Sequence, residues 1–298
     1  MSQVYVVTLV LLGAVTASAA TVHLESRWLT VEVDKTTGAW ALIDARSGVR
    51  WPTTGMASAG AAQELSSGFA ENEEGQPGKA VVLRTKSGVE VVFQLIREGR
   101  SLEIRYGGKD AGDVSVLSDA LTITDTEKGY VVVPCREGLL IPADSGRSFA
   151  RTFGTSDYEG CHMNMLGFAK SGSALIADWD DAYTFPEVKS ERLENESPKQ
   201  RLTTTFRLQR TARVVRLTPL GTGDWNTIAT GYRAIAEQKG LAVTLRQKTD
   251  RNPHMANLVG ASNVKLWTCL ARRMSEDSKK EESVNVRWTF DEAARIAE

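Results

Sequence analysis

From residue 29 onward the chain alternates apolar and polar positions. Leu29, Val31 and Val33 are separated by Thr30, Glu32 and Asp34, the period of a strand with one face in a core. Asp34 to Gly38 then reads as a turn, Ala39 to Ile43 as a strand, and Asp44 to Gly48 as a second turn. Asp bonds its own backbone in such turns and Gly accepts positive φ. The opening is therefore predicted to be an antiparallel meander, with Trp28, Trp40 and Trp51 as core or sheet-face residues. Residues 57–62 read as loop and 71–78 as a polar turn. Strand patterns resume at 89–96 and 101–106 around the turn Glu98-Gly99-Arg100. They continue at 114–124, 130–133, 201–208 and 213–217. Many short strands joined by Gly-, Asp- and Pro-bearing turns predict two stacked antiparallel sheets over residues 22 to about 220.

At Gly223-Asp224 the period changes. Trp225, Ile228, Tyr232 and Ile235 are spaced three, four and three, the stripe of an amphipathic helix. Asp224 suits its N-cap and Gly240 its C′ position. Leu245 to Leu258 predicts short helical pieces around Asn252-Pro253. Asn263 to Thr268 reads as a buried strand, 272–285 as a charged loop, and Thr289-Phe290-Asp291-Glu292 as a capping box opening a last helix. Strand, long loop and capped helix make the first unit of an α/β domain, so the chain is expected to be part of something longer. Few residues follow Gly260, whereas a complete (β/α)₈ barrel takes about 250.

Composition excludes some functions. With 36 Lys and Arg against 37 Asp and Glu among 298 residues, no overall basic field exists to hold nucleic acid or an anionic membrane. Val4 to Val15 is nearly unbroken apolar sequence, followed by Ala17-Ser18-Ala19-Ala20. That is the form of a secretory signal peptide over 1–20, although no Lys or Arg precedes the apolar run. The run is too short to span a bilayer comfortably, so a secreted or periplasmic location is expected. Cys135, Cys161 and Cys269 are an odd set. Cys135 and Cys161 flank one region and are candidates for pairing, but nothing in their spacing requires it, and three buried thiols are expected. The three histidines lack ligand spacing, and neither a Gly-x-Ser-x-Gly nucleophile turn nor a Gly-rich phosphate loop occurs. No metal or cofactor is expected.

The stretch from Gly160 to Val188 departs most from generic scaffold. It predicts two apolar strands, Met163 to Lys170 and Ala174 to Asp178, joined at Ser171-Gly172. An acidic-aromatic tip follows, Asp178-Trp179-Asp180-Asp181-Ala182-Tyr183. Such a tip suits a sugar, whose hydroxyls meet carboxylates and whose C–H faces meet rings. Trp179 and Tyr183 would stack, and Asp180 or Asp181 would accept hydroxyl hydrogen bonds. A turn using Asp for its own backbone bonding explains the same residues. A calcium loop does not, since Ala182 and Tyr183 stand where an oxygen ligand and a Gly would be needed. Arg136 and Glu137, after a strand and before Gly138, form a second polar candidate, read either as a ligand loop or as an internal Arg–carboxylate pair. Asp157, Tyr158 and His162 lie close enough in sequence to join the same surface.

Several of these segments together resemble a known arrangement. Val33 to Trp51 (VDKTTGAWALIDARSGVRW) is similar to the opening strands of galactose-mutarotase-like β-sandwiches. Val131 to Asp144 (VVVPCREGLLIPAD) with the stretch after it resembles the later half. The segment up to Trp267 (GYRAIAEQKGLAVTLRQKTDRNPHMANLVGASNVKLW) resembles the connector and first barrel strand of endo-α-N-acetylgalactosaminidase-like glycosidases. The resemblance implies a mainly β chain: an antiparallel β-supersandwich over 21–222, a helical connector over 223–260, and over 261–298 the first βα unit of a truncated (β/α)₈ barrel. It implies an exported glycosidase acting on α-linked glycans, with its catalytic carboxylates on later barrel strands. No catalytic residue can be assigned here, and the chain alone is expected to be inactive, binding a glycan or oligosaccharide at most. The alternative is a free-standing carbohydrate-binding or structural sandwich. Oligomeric state is not set by the sequence.

Overall fold

The computed structural model describes residues 21–34, 37–52, 62–71, 77–85, 88–108, 114–155, 158–194, 197–261, 269–272, 283–286 and 288–297. The leader-like residues 1–20, Asp157 and the expected strand at 263–268 lie outside them.

In chain order the first strands are β1 (Thr21–Glu25), β2 (Leu29–Asp34), β3 (Trp40–Asp44), β4 (Arg50–Pro52), β5 (Ala62–Glu71) and β6 (Pro77–Thr85). They continue with β7 (Val89–Ile96), β8 (Ser101–Gly108), β9 (Val114–Thr124), β10 (Tyr130–Val133), β11 (Leu139–Pro142) and β12 (Phe149–Thr152). After these come β13 (Met165–Lys170), β14 (Ser173–Asp178), β15 (Thr184–Arg192), β16 (Gln200–Leu208) and β17 (Val214–Thr222). The expected meander is present, with β1-β2-β3-β4 in sequential order. The Asp34 carboxylate accepts from Thr37 N, and Asp44 from Arg46 N, as the turn chemistry requires. One long sheet runs β11-β10-β13-β14-β17-β8-β7-β6-β5, and another β12-β15-β16-β9. Because β4 lies alongside β9, the four-stranded sheets make up a second layer facing the nine-stranded one. Their inner faces share one core that includes Leu29, Trp51, Phe93, Phe168 and Phe206.

The hairpin β5–β6 falls mostly on residues 63–70 and 79–85, to which the sequence pattern assigned no element; β5 (AQELSSGFAE) lacks apolar alternation. β9 is continuous but bulged against β16, with Leu117, Asp119 and Leu121 at positive φ. Such positions cost about 1–3 kcal/mol each.

The expected helix is α1 (Trp225–Gln238), capped by Asp224, whose carboxylate accepts from Asn226 N and Thr227 N. It lies on the outer face of β13, β14 and β17. There Ile228 and Ile235 join Met165, Ala169, Ala174 and Ile176 in a second cluster. Trp225, at the head of the stripe, is exposed, and its backbone N–H donates to the Tyr130 hydroxyl. The chain divides into two compact units, Met1–Lys239 and Gly240–Glu298, so α1 belongs with the sandwich.

In the second unit α2 (Leu245–Arg251) precedes a 3-10 turn with Pro253 in its first turn, as its sequence predicts. Two short strands, β18 (Cys269–Arg272) and β19 (Ser283–Val286), pair antiparallel, and most of β19 falls in the stretch expected to be a charged loop. A parallel βα repeat is not seen among the described residues. The last helix, α3 (Phe290–Ala297), has the expected box: Thr289 Oγ1 accepts from Glu292 N, and the Glu292 carboxylate accepts from Thr289 N. No helix among the described residues is long and apolar enough to cross a membrane.

Candidate functional site

The acidic-aromatic tip is positioned by the hairpin β13–β14. Lys170 pairs with Ser173, and the two residues between, Ser171 and Gly172, are both at positive φ. Both faces of this hairpin are covered, so every residue of β13 and β14 is buried. Leu175 and Ala177 point into the main core, while Ala174 and Ile176 lie under α1.

That alternation runs one residue beyond the strand and decides the tip. Trp179 follows Ala177 inward, is 1% exposed, and sets its ring edge-on to Phe206 with centroids 5.8 Å apart. It offers no face to a ligand, which corrects the expectation that it stacks on a sugar. Asp181 closes the turn: its Oδ1 accepts from Tyr183 N at 2.7 Å and its Oδ2 from the Thr211 hydroxyl at 2.6 Å. Tyr183 packs against the core, with the Arg210 guanidinium 4.5 Å above its ring.

Asp178 points the other way, under the C-terminal end of α1, and anchors a charge network. It has no exposed surface and meets Arg97 at 3.2 Å and Lys239 at 2.8 Å. Asp180 joins at the rim, accepting from Arg216 and Lys239, both at 2.6 Å. Arg216 also reaches buried Glu103 at 3.1 Å, and Glu103 pairs with Arg105. Burial disfavours charge on Arg216, but Asp180, Asp178 and Glu103 hold its proton more firmly than usual. Burial likewise raises the Asp180 carboxyl, yet Lys239 and Arg216 outweigh it and leave the group more acidic than an ordinary Asp. A glycosidase acid needs a carboxyl pushed upward beside a second carboxylate. A carboxylate neutralised on two sides is a clamp between helix and sheet.

The other expected residues gather elsewhere. Arg136, at positive φ in the β10–β11 turn, donates to Glu159 at 2.8 Å and lies 4.7 Å over the Tyr158 ring. Arg151 takes the other Glu159 oxygen at 2.8 Å, and together the two arginines depress the Glu159 pKa. Tyr158 is 83% exposed. His162 is exposed, with its backbone N–H donating to Pro134 O and its ring Nε2 3.4 Å from Tyr158 O. Glu137 is exposed beside them. The structure thus brings Arg136, Glu137, Tyr158 and His162 to one loop cluster, with an Arg–carboxylate pair inside it. Cys161 underlies the cluster; burial, and then Cys135 nearby, push its thiol up to about 12. Both are free thiols, and Cys135 is only half-buried. Among the described residues no group of three or more His, Cys, Asp and Glu is placed to hold a metal ion.

Sequence reading missed a groove of about 700 Å³ between α1, the outer face of β8 and β17, and the turns β1–β2 and β7–β8. Trp28, Arg97, Arg100, Arg216 and Lys239 are among its lining residues. Arg27 alone neighbours Trp28 in sequence; Arg46 and Arg100 reach its ring from turns distant in the chain.

No protein-family model matches this sequence, and no curated protein does. Among solved structures the fold is similar to the α-N-acetylgalactosaminidase NagBb from Bifidobacterium bifidum. Against its GalNAc complex the TM-score is 0.66 at 16% identity, covering 93% of this chain and 49% of that one. Against its Gal-NHAc-DNJ complex it is 0.65 at 16% identity, covering 92% and 48%. Against the ligand-free form it is 0.60 at 17% identity, covering 78% and 41%. The chain spans about half the length of the NagBb chains it matches, and at this identity the likeness is one of fold.

Proposed function

We propose that this chain is the sandwich and connector part of an exported glycoside hydrolase acting on α-linked glycans, contributing scaffold and glycan contact rather than catalysis. The observation that carries this reading is the fold likeness to NagBb in complex with GalNAc, which extends over 93% of the chain. Two features support the division of labour. Asp178 and Asp180 are clamped by Arg97, Arg216 and Lys239, and Asp181 by its own turn, instead of standing free as an acid and a base. The exposed Tyr158 ring, with Arg136, Glu137 and His162 around it, has the flat face and polar rim that a sugar needs. Glycan contact is assigned to that cluster, with Asp180, half-exposed at the rim of the network, as a further acceptor.

The test is a titration of the chain with methyl α-N-acetylgalactosaminide, followed by NMR at the Tyr158 and His162 rings. Saturable shifts at those rings, lost in Tyr158→Ala, are expected. Shifts spread evenly over the surface, or unchanged in Tyr158→Ala, contradict the assignment.

A further inference from the structure

Three guanidiniums converge on one indole. The Cζ atoms of Arg27, Arg100 and Arg46 lie 4.6, 4.8 and 5.4 Å from the centre of the Trp28 ring. Any two of them are therefore within roughly one Debye length of each other, about 8–10 Å at ordinary ionic strength. Arg46 is partly neutralised by Asp44 at 3.5 Å and donates to Pro219 O. Arg27 and Arg100 make no ion pair among the described residues. Both are exposed, and their contact is the ring itself. Trp28 is half-buried, and its Nε1 is buried without a hydrogen-bond partner.

Trp28, Arg46 and Arg100 line the groove, and Arg27 adjoins it through the Trp28 ring; the groove's volume falls within the range of small-ligand sites, about 300–1,000 Å³. Deeper in, Arg97 and Lys239 are committed to Asp178 and Asp180, and Glu103 to Arg105 and Arg216. Of the acidic lining residues, this leaves Glu98 to oppose the arginines. Cations concentrated at the mouth of a concave site attract an anion. Guanidinium forks suit the two oxygens of a carboxylate or sulfate.

We infer that the groove beside Trp28 binds an acidic sugar, a saccharide bearing a carboxylate or sulfate, held by Arg27 and Arg100 with Trp28 as its apolar wall. The inference rests on this geometry alone and stands whether or not the hydrolase reading does. Its ligand is anionic and its residues are separate from the Tyr158 cluster.

The experiment is calorimetric titration of the full chain with glucuronate, glucose 6-sulfate, glucose and inorganic sulfate, at low and high salt. Glucuronate or glucose 6-sulfate should bind more tightly than either glucose or inorganic sulfate, and more weakly as salt rises. In Arg27→Gln/Arg100→Gln the affinity for the acidic sugar should fall about tenfold or more, the loss expected for one or more charge-assisted hydrogen bonds. Both positions are on the surface, so the variant's melting temperature should match the parent's. Equal binding of acidic and neutral sugars overturns the inference. So does an unchanged affinity in the double variant, or inorganic sulfate binding as tightly as either acidic sugar.

Discussion

Lys239 places its Nζ 2.8 Å from Oδ2 of Asp178, joining the residue that ends α1 to a carboxylate with no exposed surface at the end of β14. Asp178 also answers Arg97, so its removal leaves Arg97 without its carboxylate, while Lys239 keeps Asp180. Breaking a buried pair in this way costs about 3–5 kcal/mol. Asp178→Ala should lose that much in urea unfolding. Lys239→Ala, whose side chain is partly exposed, should lose about 1 kcal/mol. The reverse order would mean that the network does not hold the helix.

Asp180 gives the network a pH dependence of defined sign. Its folded carboxyl is more acidic than usual because Lys239 and Arg216 outweigh the opposing effect of burial. The unfolded chain therefore binds the proton more readily than the folded one. The stabilisation is complete above the ordinary carboxylate range, about pH 4, and is lost as pH falls through the lower folded value. Half-exposure of the side chain keeps the effect small. Urea midpoints measured downward from neutral pH should fall less steeply below about pH 4 in Asp180→Asn than in the parent. An unchanged profile would remove Asp180 from the network.

Trp179 separates a core role from a binding role. With its ring edge against Phe206 and 1% exposure, Trp179→Ala should cost about 3–5 kcal/mol in denaturant unfolding. Trp179→Phe should cost less. Glycan affinity of the folded Trp179→Phe variant should be that of the parent.

Gly167 sets how closely α1 approaches the sheet. A Cβ there would stand 2.5 Å from Ile228 Cγ2 and 3.2 Å from Val132 Cβ. Gly167→Ala should destabilise by about 1–3 kcal/mol through overpacking. Ile228→Ala removes the clashing methyl, so the double variant should be less destabilised than the two single effects combined. Additive losses would place the strain elsewhere.

The sheets were legible wherever apolar residues alternate, as in β2, β7, β8 and β16, because a single buried face leaves a period of two in the sequence. β5 was not, since its residues carry no such alternation. The helices were legible in detail, down to Asp224 and Thr289 as caps, because capping is a local interaction. The tip was misjudged at Trp179 for a physical reason. Composition marked it as ligand-like, while the inward parity set by Leu175 and Ala177 already sent its ring into the core. Asp178 and Arg216 meet through the pairing of β14 with β17, and Trp28 and Arg100 through two turns of different sheets, all distant in the chain. No local pattern encodes those contacts.

The proposed role of this chain is glycan contact without an acid–base pair. The measurement that tests it most directly is release of the aryl alcohol from an aryl α-N-acetylgalactosaminide by the purified chain, followed across the acidic and neutral pH range. The expected result is no release above buffer at any pH. Turnover with a bell-shaped pH profile, the signature of a working acid and base, would contradict the account.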